Sequence, residues 1–236
     1  MKQLKFNDTI ATDLGIIVVE GASEVLAQEV YEAIEVEGRN GSLIVNKGYY
    51  KDLERTFLLT TVEHFEEDEI QEVVDKLKNW LLNVRVNKLY YVYQDRYNIV
   101  KKVIVGDIKT SLEEYGDVEV TFICEPFYHR DEPNILMSDD SMTLLQEGDF
   151  DAPPLIRIYG SGNITLTVNN TQLTINNVSG VVTIDGKTFE VFDGDRQNKT
   201  FDMVGDFPIL KVGMNEISAS GGNIGAVYIT PRTMYR

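Results

Sequence analysis

The sequence pattern that most constrains the fold is a series of short strand signals in the second half of the chain. Five runs rich in β-branched and aromatic residues follow Pro154, and pairs or triplets of Gly, Asn and Asp separate them, at 155–159, 164–168, 172–175, 181–184 and 188–192. None of the intervening segments has helical periodicity. Strands at this spacing without helices predict an antiparallel β-sandwich.

Asp185 and Gly186 separate the last two of these runs. Both residue types tolerate the positive φ that a type I′ turn requires. The pair therefore predicts a tight two-residue hairpin between the runs.

The first half of the chain predicts further strands and one amphipathic helix. Strands are expected at 30–36, 55–62, 89–93, 98–105 and 117–124. A helix is expected at about 66–82, because its apolar residues recur at the spacing of one helical face. They are Ile70, Val73, Val74, Leu77, Trp80 and Leu81. The whole chain is therefore predicted to be mainly β.

Four acidic residues, 66–69, open the predicted helix. They could be interpreted as a metal cluster, but the exposed amides of a first helical turn favour anions, so we expect a solvated, dipole-matched turn. Trp80 is similarly expected to anchor the core rather than to form a ligand platform.

The two halves differ in composition. Eleven of the 18 glycines lie after Pro133, and a polar segment with a proline near each end, 126–134, precedes that change. Such a segment suits a linker or crossover. We therefore predict two domains, residues 1–132 and 133–236.

Composition limits the function classes. The net charge of −16 argues against DNA or an anionic membrane as the main ligand. One cysteine excludes an intramolecular disulfide framework, and two histidines leave little for metal or acid–base chemistry. The chain also shows no secretory signal and no apolar stretch of membrane-spanning length, so we expect a soluble protein made in a reducing cytoplasm.

No motif predicts a catalytic, cofactor or metal site. Cys124 alternates inward in its strand and is expected to be an inert core thiol. The run 193–198 resembles a calcium loop, but Asn198 and Val204 occupy the positions that need glycine and a bidentate acid. His64 and His129 stand in no catalytic motif and are expected to be surface or partly packed residues.

Four segments stand out in order along the chain: residues 34–43, IEVEGRNGSL; 120–128, VTFICEPFY; 152–160, APPLIRIYG; and 205–215, GDFPILKVGMN. The first two are similar to a strand and turn near the start, and to a later strand, of the distal tail protein (Dit) family of siphophages, the long-tailed phages. The last two resemble the second domain of that family.

The resemblance implies a fold and a role. The fold is an N-terminal β-sandwich or split-barrel-like domain carrying the helix, followed by a galectin-like antiparallel β-sandwich. The role is structural and non-enzymatic: the protein is a hub at the virion tail tip. It is made in the host bacterial cytoplasm. The hub is a homo-hexameric ring that joins the tail tube, the tip of the tape-measure protein, the tail-associated lysin or fibre, and receptor-binding proteins.

Tyr49 and Tyr50 are the candidate inter-subunit contacts. They stand in a segment expected to be a polar loop, where paired aromatic residues suit a contact between copies or a small cluster beneath the loop. DNA is expected to pass through the ring without specific binding. Two other functions stay open: a glycan-binding adhesion module, for which Tyr159 or Tyr228 could stack on a sugar, and an enzyme or enzyme accessory domain.

Overall fold

A computed structural model describes residues 3–23, 26–61 and 67–236. By internal packing the chain divides into two compact units: residues 1–129 with Arg236, called here the N-terminal unit, and residues 130–235, the C-terminal unit. Each has its own buried apolar cluster. The fold is mainly β, as the sequence predicts.

The N-terminal unit contains nine strands, two α-helices and one 3-10 helix among its described residues, the last strand ending at the unit boundary. They are β1 (Lys5–Phe6), β2 (Thr9–Ile10), a 3-10 helix (Ala11–Leu14), β3 (Ile16–Glu20), β4 (Glu29–Ile34), β5 (Leu43–Tyr50), β6 (Leu53–Thr61), α1 (Glu67–Leu82), β7 (Lys88–Tyr90), β8 (Arg96–Val105), α2 (Ile108–Tyr115) and β9 (Asp117–Arg130).

The main sheet of this unit has the strand order β2-β1-β7-β8-β9-β6-β3. β6 pairs antiparallel with β9 over eight residue pairs. The alternation predicted for β9 places Val118, Val120, Phe122 and Cys124 in the core. All five strands predicted in this half are present.

The predicted helix is confirmed as α1. The apolar side chains of its predicted face from Val73 to Leu81 are all buried, and Trp80 is only 5% exposed. Each lies in the same cluster as the aromatic residues of the sheet. Trp80 is therefore a core anchor, as predicted. His64 and Glu66 lie outside the described residues, and so do the side chains of residues 67–70, which include Ile70 of the predicted face.

A second helix, α2, was not predicted because it is only eight residues long. Its ends nonetheless carry local signals. The carboxylate of Asp107 accepts a hydrogen bond from the backbone N–H of Thr110 at 3.2 Å, and Gly116 ends the helix at φ 74°. These are an ordinary N-cap and C-cap. No helix among the described residues has the length and apolarity to cross a membrane.

The C-terminal unit is built of strands and one short 3-10 helix. They are β10 (Ile135–Met137), β11 (Ser141–Gln146), β12 (Leu155–Val168), β13 (Thr171–Asp185), β14 (Glu190–Asp193), a 3-10 helix (Thr200–Asp202), β15 (Met203–Gly205), β16 (Gly213–Ser220), β17 (Asn223–Thr230) and β18 (Met234–Tyr235).

Two long strands organise this unit as a β-sandwich. The first part of β12 pairs with β17, and its last four residues pair with β16. β12 is therefore part of both layers of the sandwich. The order β10-β17-β12-β13-β14 forms one layer, and β11 joins the other through β16. The apolar cluster lies between them.

The prediction of strand breaks at residues 160–162 and at Asn176 was wrong. β12 and β13 run through these points, with a register shift between Gly162 and Ile164. Positive φ angles at Gly162, Asn177 and Gly180 bend the hairpin without ending it. Gly and Asn mark such bends as well as turns, because both tolerate the left-handed region.

Two further expectations were also wrong. β9 continues through Pro126 to Arg130, so most of the predicted linker is strand. The turn after β13 is not a two-residue turn, because Asp185 pairs with Glu190 and four residues lie between them. The Asp185 carboxylate accepts the backbone N–H of Lys187 at 2.9 Å, which forms the turn without a positive φ at Gly186.

Candidate assembly surface

β4 and β5 form a two-stranded sheet of their own. Among the residues that the structure describes, this β4–β5 hairpin does not pair with the main sheet of the N-terminal unit. An isolated two-stranded hairpin is at best marginally stable in water. Its conformation therefore calls for stabilisation by polar contacts within it or by another surface that covers it.

Large apolar side chains of the hairpin are exposed on both faces. Tyr31 is 63% exposed and Ile44 is 58% exposed. Ile44 pairs with Ala33, while the neighbouring pair, Ile34 with Leu43, points to the opposite face. Ile34 and Leu43 are exposed as well. Exposed apolar area of this extent is typical of an interaction surface.

Polar contacts hold the two strands in register. The Lys47 ammonium and the Glu32 carboxylate form an ion pair across the hairpin. The Asn46 amide donates to the Glu29 carboxylate at 2.7 Å, and its Oδ1 accepts the backbone N–H of Gly48 at 2.8 Å. These bonds fix the shape of the hairpin while leaving its apolar side chains uncovered.

A bulge in β5 presents Tyr49. Glu29 pairs with Tyr50, and Tyr31 pairs with Asn46, so three residues of β5 lie opposite one of β4. Gly48 takes up the extra length at φ 76°. Tyr49 follows it and is 58% exposed. The expectation of a loop here was wrong, because both tyrosines lie at the end of a strand.

Tyr50 is engaged within its own unit. Its hydroxyl donates to Glu29 at 2.6 Å, and its ring meets Phe127 edge-on at 4.9 Å between centroids. The guanidinium of Arg236 donates to the same hydroxyl at 3.2 Å. The hydrogen bond to Glu29, aided by burial, raises the pKa of Tyr50 above its ordinary value. Tyr50 thus anchors the base of the hairpin, whereas Tyr49 is directed outward.

Sequence reasoning found the two tyrosines but missed the rest of the hairpin surface. A signal was present, because β5 carries apolar residues at consecutive positions, Leu43, Ile44 and Val45. In a two-stranded element such a run must place an apolar side chain on each face.

The groups considered for chemistry are engaged in structural roles. Cys124 is buried, and desolvation raises the pKa of its thiol to about 12, which keeps it protonated and unreactive. Asp193 folds the segment that resembles a calcium loop into a turn by accepting the backbone N–H groups of Asp195 and Gln197. No group of three or more candidate metal ligands occurs among the described residues.

His129 is nearly buried in the N-terminal unit. Its Nε2 lies 3.5 Å from a carboxylate oxygen of Glu125, and its ring lies 6.0 Å from that of Tyr97. Such surroundings are those of a packed histidine rather than of a general base aimed at a substrate.

A comparison with solved structures finds the same fold over nearly the whole chain. The crystal structure of SPP1 Dit (gp 19.1), described as a paradigm of the hub adsorption apparatus in phages that infect Gram-positive bacteria, is similar with a TM-score of 0.71. The sequences are 14% identical, and the match covers 97% of this chain and 98% of that one. No protein-family model and no curated protein matches the sequence.

Proposed function

We propose that this chain is a structural hub protein at the tip of a long phage tail, where six copies form a closed ring. The observation that carries the proposal is the likeness of fold to the SPP1 hub protein, which extends through both units. A shared fold alone does not fix a function. Two independent features also support the proposal: the order of the sequence segments that resemble the family, and the exposed β4–β5 hairpin.

The β4–β5 hairpin is the contact between neighbouring copies in this proposal. A cyclic ring joins one surface of each subunit to a different surface of the next. An element with apolar side chains on both faces suits such a contact, because the neighbouring subunit covers apolar side chains that are exposed to water in a single subunit. Tyr49 contributes from the bulge, and Tyr31 and Ile44 from the strands.

The ring acts without catalysis in this proposal. It joins the tail tube to the tape-measure tip, to a tail-associated lysin or fibre, and to receptor-binding proteins. The protein is made in the host bacterial cytoplasm and functions at the virion tail tip. We assign the C-terminal unit to the galectin-like class, and the N-terminal unit forms the ring in this proposal.

Native mass spectrometry over a concentration series tests the ring. We expect a closed species of about 160 kDa, six times the subunit mass of 26.7 kDa. Because assembly depends on concentration, the series must extend well above the micromolar range. A monomer at every concentration, including in the presence of the tail tube protein, would contradict the proposal.

A pair of matched variants tests the role of the hairpin. Ile44→Ser removes an exposed apolar side chain from the hairpin, and Leu82→Ser removes one of similar exposure, 55%, at the end of α1. We expect Ile44→Ser to reduce the hexamer at a given concentration and Leu82→Ser to leave it unchanged. Equal effects of the two would remove the hairpin from the interface.

A further inference from the structure

One outer face of the C-terminal unit carries aromatic and arginine side chains. Ile156 and Ile158 of β12 point into the core, so the alternate residues Arg157 and Tyr159 point outward, and both are exposed. Tyr228 of β17 is the register partner of Arg157. We call these residues, with Phe192 and Arg196, the arginine–tyrosine face.

The register places these groups in a row across the sheet. Arg157 pairs with Tyr228 on one side and with Thr183 on the other, and Thr183 pairs with Phe192. The guanidinium of Arg196 lies over the Phe192 ring, 5.1 Å from its centroid. Since neighbouring strands lie about 4.8 Å apart, roughly 10 Å separates the Arg157 backbone from that of Phe192.

The two tyrosines form a second feature of the face. The rings of Tyr159 and Tyr228 meet edge-on at 5.8 Å between centroids. Beyond them the next outward row is polar, because Ser161 pairs with Ser179 and with Asn223, and all three are exposed. Aromatic rings therefore lie beside a line of hydroxyl and amide groups.

Ion pairing distinguishes Arg157 and Arg196 from four other cations of the unit. Lys199, Lys211 and Arg232 form ion pairs with Asp202, Asp151 and Asp185. Arg130 likewise pairs with Glu147. Within the part of the chain that the structure describes, Arg157 and Arg196 have no such carboxylate partner. In a protein of net charge −16, two guanidinium groups outside any ion pair on one face favour an anionic ligand there.

We propose that the arginine–tyrosine face binds an anionic polysaccharide. The apolar face of a sugar ring packs on an aromatic ring, its hydroxyls match the serine and asparagine row, and guanidinium groups bind carboxylate or phosphate in a fork geometry. An acidic peptide would use the arginines but has no need of the aromatic and hydroxyl groups beside them. The site is independent of the hub proposal and of the ring.

The test measures binding of the full chain to defined polymers. Polygalacturonate supplies carboxylates on a sugar backbone, and yeast phosphomannan supplies phosphates. Neutral mannan tests the sugar without the charge, and poly-L-glutamate tests the charge without the sugar. We expect saturable binding to at least one anionic polysaccharide and at least tenfold weaker binding to both mannan and poly-L-glutamate. Which of the two polysaccharides binds better identifies the anionic group.

Variants locate the site. Arg157→Ala and Arg196→Ala should each weaken binding about tenfold, as expected for the loss of one charge-assisted contact. Tyr159→Ala should weaken it while Tyr159→Phe, which keeps the ring, should not. Arg85→Ala, which removes the same charge from an exposed position in the N-terminal unit, is the matched control and should have no effect.

Three results would overturn the proposal. Equal binding of poly-L-glutamate would show that charge alone is recognised, as for an acidic protein segment. Equal losses in Arg157→Ala and Arg85→Ala would show that net charge, not this face, governs binding. Absence of binding to both anionic polysaccharides at low salt would exclude the site itself.

Discussion

The indole Nε1 of Trp80 donates a hydrogen bond of 2.9 Å to the backbone carbonyl oxygen of Phe6, 74 residues earlier in the chain. The two rings also pack edge-on, with their centroids 6.4 Å apart. One side chain therefore joins α1 to β1 by a polar and an apolar contact at once. This long-range contact ties the helix to the main sheet of the N-terminal unit.

Trp80→Ala should lower the free energy of unfolding by about 3–5 kcal/mol, because it removes a buried ring and leaves a cavity. Trp80→Phe should cost less, about 1–3 kcal/mol, since it keeps most of the apolar bulk and loses the hydrogen bond to the Phe6 carbonyl. Chemical denaturation of both variants gives the two values. Equal costs would mean that the hydrogen bond, not the ring, is the dominant contribution.

Asn7 closes the C-terminal end of α1. Its Oδ1 accepts the backbone N–H groups of Arg85 and Val86 at 2.8 and 2.9 Å, and its Nδ2 donates to the carbonyl of Asn83 at 3.0 Å. The residue adopts φ 52°, in the left-handed region. Both the side chain and the backbone conformation thus favour asparagine at this position.

Asn7→Ala should destabilise the unit by roughly 2–3 kcal/mol, because it loses the hydrogen bonds and strains the backbone. Asn7→Gly should cost about 1 kcal/mol less, since glycine adopts positive φ without strain. Thermal and denaturant unfolding of the two variants separates the contribution of the hydrogen bonds from that of the backbone conformation. If Asn7→Gly were as destabilising as Asn7→Ala, the backbone conformation would contribute nothing.

Long, periodic elements could be predicted from the sequence. The helix 66–82 and the strand from Asp117 have one buried face each, so their hydrophobic spacing determines the assignment. Short or two-sided elements could not be predicted in this way. α2 has too few residues to show a period, and β5 has no single buried face to create one.

The bend in the long hairpin of the C-terminal unit shows a second limit of sequence patterns. Gly162, Asn177 and Gly180 carry the positive φ angles that a turn would need, yet β12 and β13 continue past them. Whether such residues end a strand or bend it depends on tertiary pairing with β16 and β17, which no local pattern encodes. The same holds for the exposed hairpin, whose apolar side chains do not follow the one-face pattern of a packed strand.

Acid stability should depend on Asp185. Arg232 donates two hydrogen bonds to its carboxylate, at 2.5 and 2.8 Å, and this pair holds the pKa of Asp185 below its ordinary value. A depressed pKa in the folded state stabilises the protein above the unfolded pKa of about 3.9, and that contribution is lost as pH falls through the folded pKa.

Asp185→Asn removes the titrating group but keeps an oxygen for the backbone N–H of Lys187. The difference in unfolding free energy between the wild type and this variant should be greatest above about pH 5 and should shrink below about pH 4. Asp151, whose pKa is lowered mainly by its hydrogen bond from Lys211, titrates in both proteins and cancels in the difference. A difference that stays constant from pH 7 to pH 2 would contradict the linkage.

Tyr49 and Tyr50 should differ in their mutational effects. Tyr49→Ala should weaken the hexamer without changing subunit stability, because the exposed ring has little to lose within its own unit. Tyr50→Ala should lower the melting temperature, because its ring packs on Phe127 and its hydroxyl binds Glu29. The double variant should show both effects.

Native mass spectrometry and thermal denaturation measure these two effects separately, and Tyr50→Phe controls for the hydroxyl alone. Should Tyr49→Ala leave the oligomer distribution unchanged at limiting concentration, Tyr49 lies outside the contact between copies. The hairpin could still serve as the contact through Tyr31 and Ile44.

The charge of the N-terminal half leads to a prediction about DNA. Residues 1–133 hold 15 basic and 26 acidic residues, a net charge of −11. In a ring of six this half would bring a formal charge of about −66. A channel wall carrying part of that charge would repel phosphates, so DNA could pass without being retained, whereas a cationic wall would bind it.

We therefore expect the assembled ring to retain no duplex DNA at physiological salt in a gel-shift or filter-binding assay. Lowering the salt should not reveal binding either, because electrostatic repulsion strengthens as screening decreases. The main alternative is that these acids serve solubility and lie away from the channel, in which case weak binding could appear at low salt. Salt-sensitive retention of DNA by the ring would reject an acidic channel while leaving the hexamer and its hairpin contact to be tested by mass spectrometry.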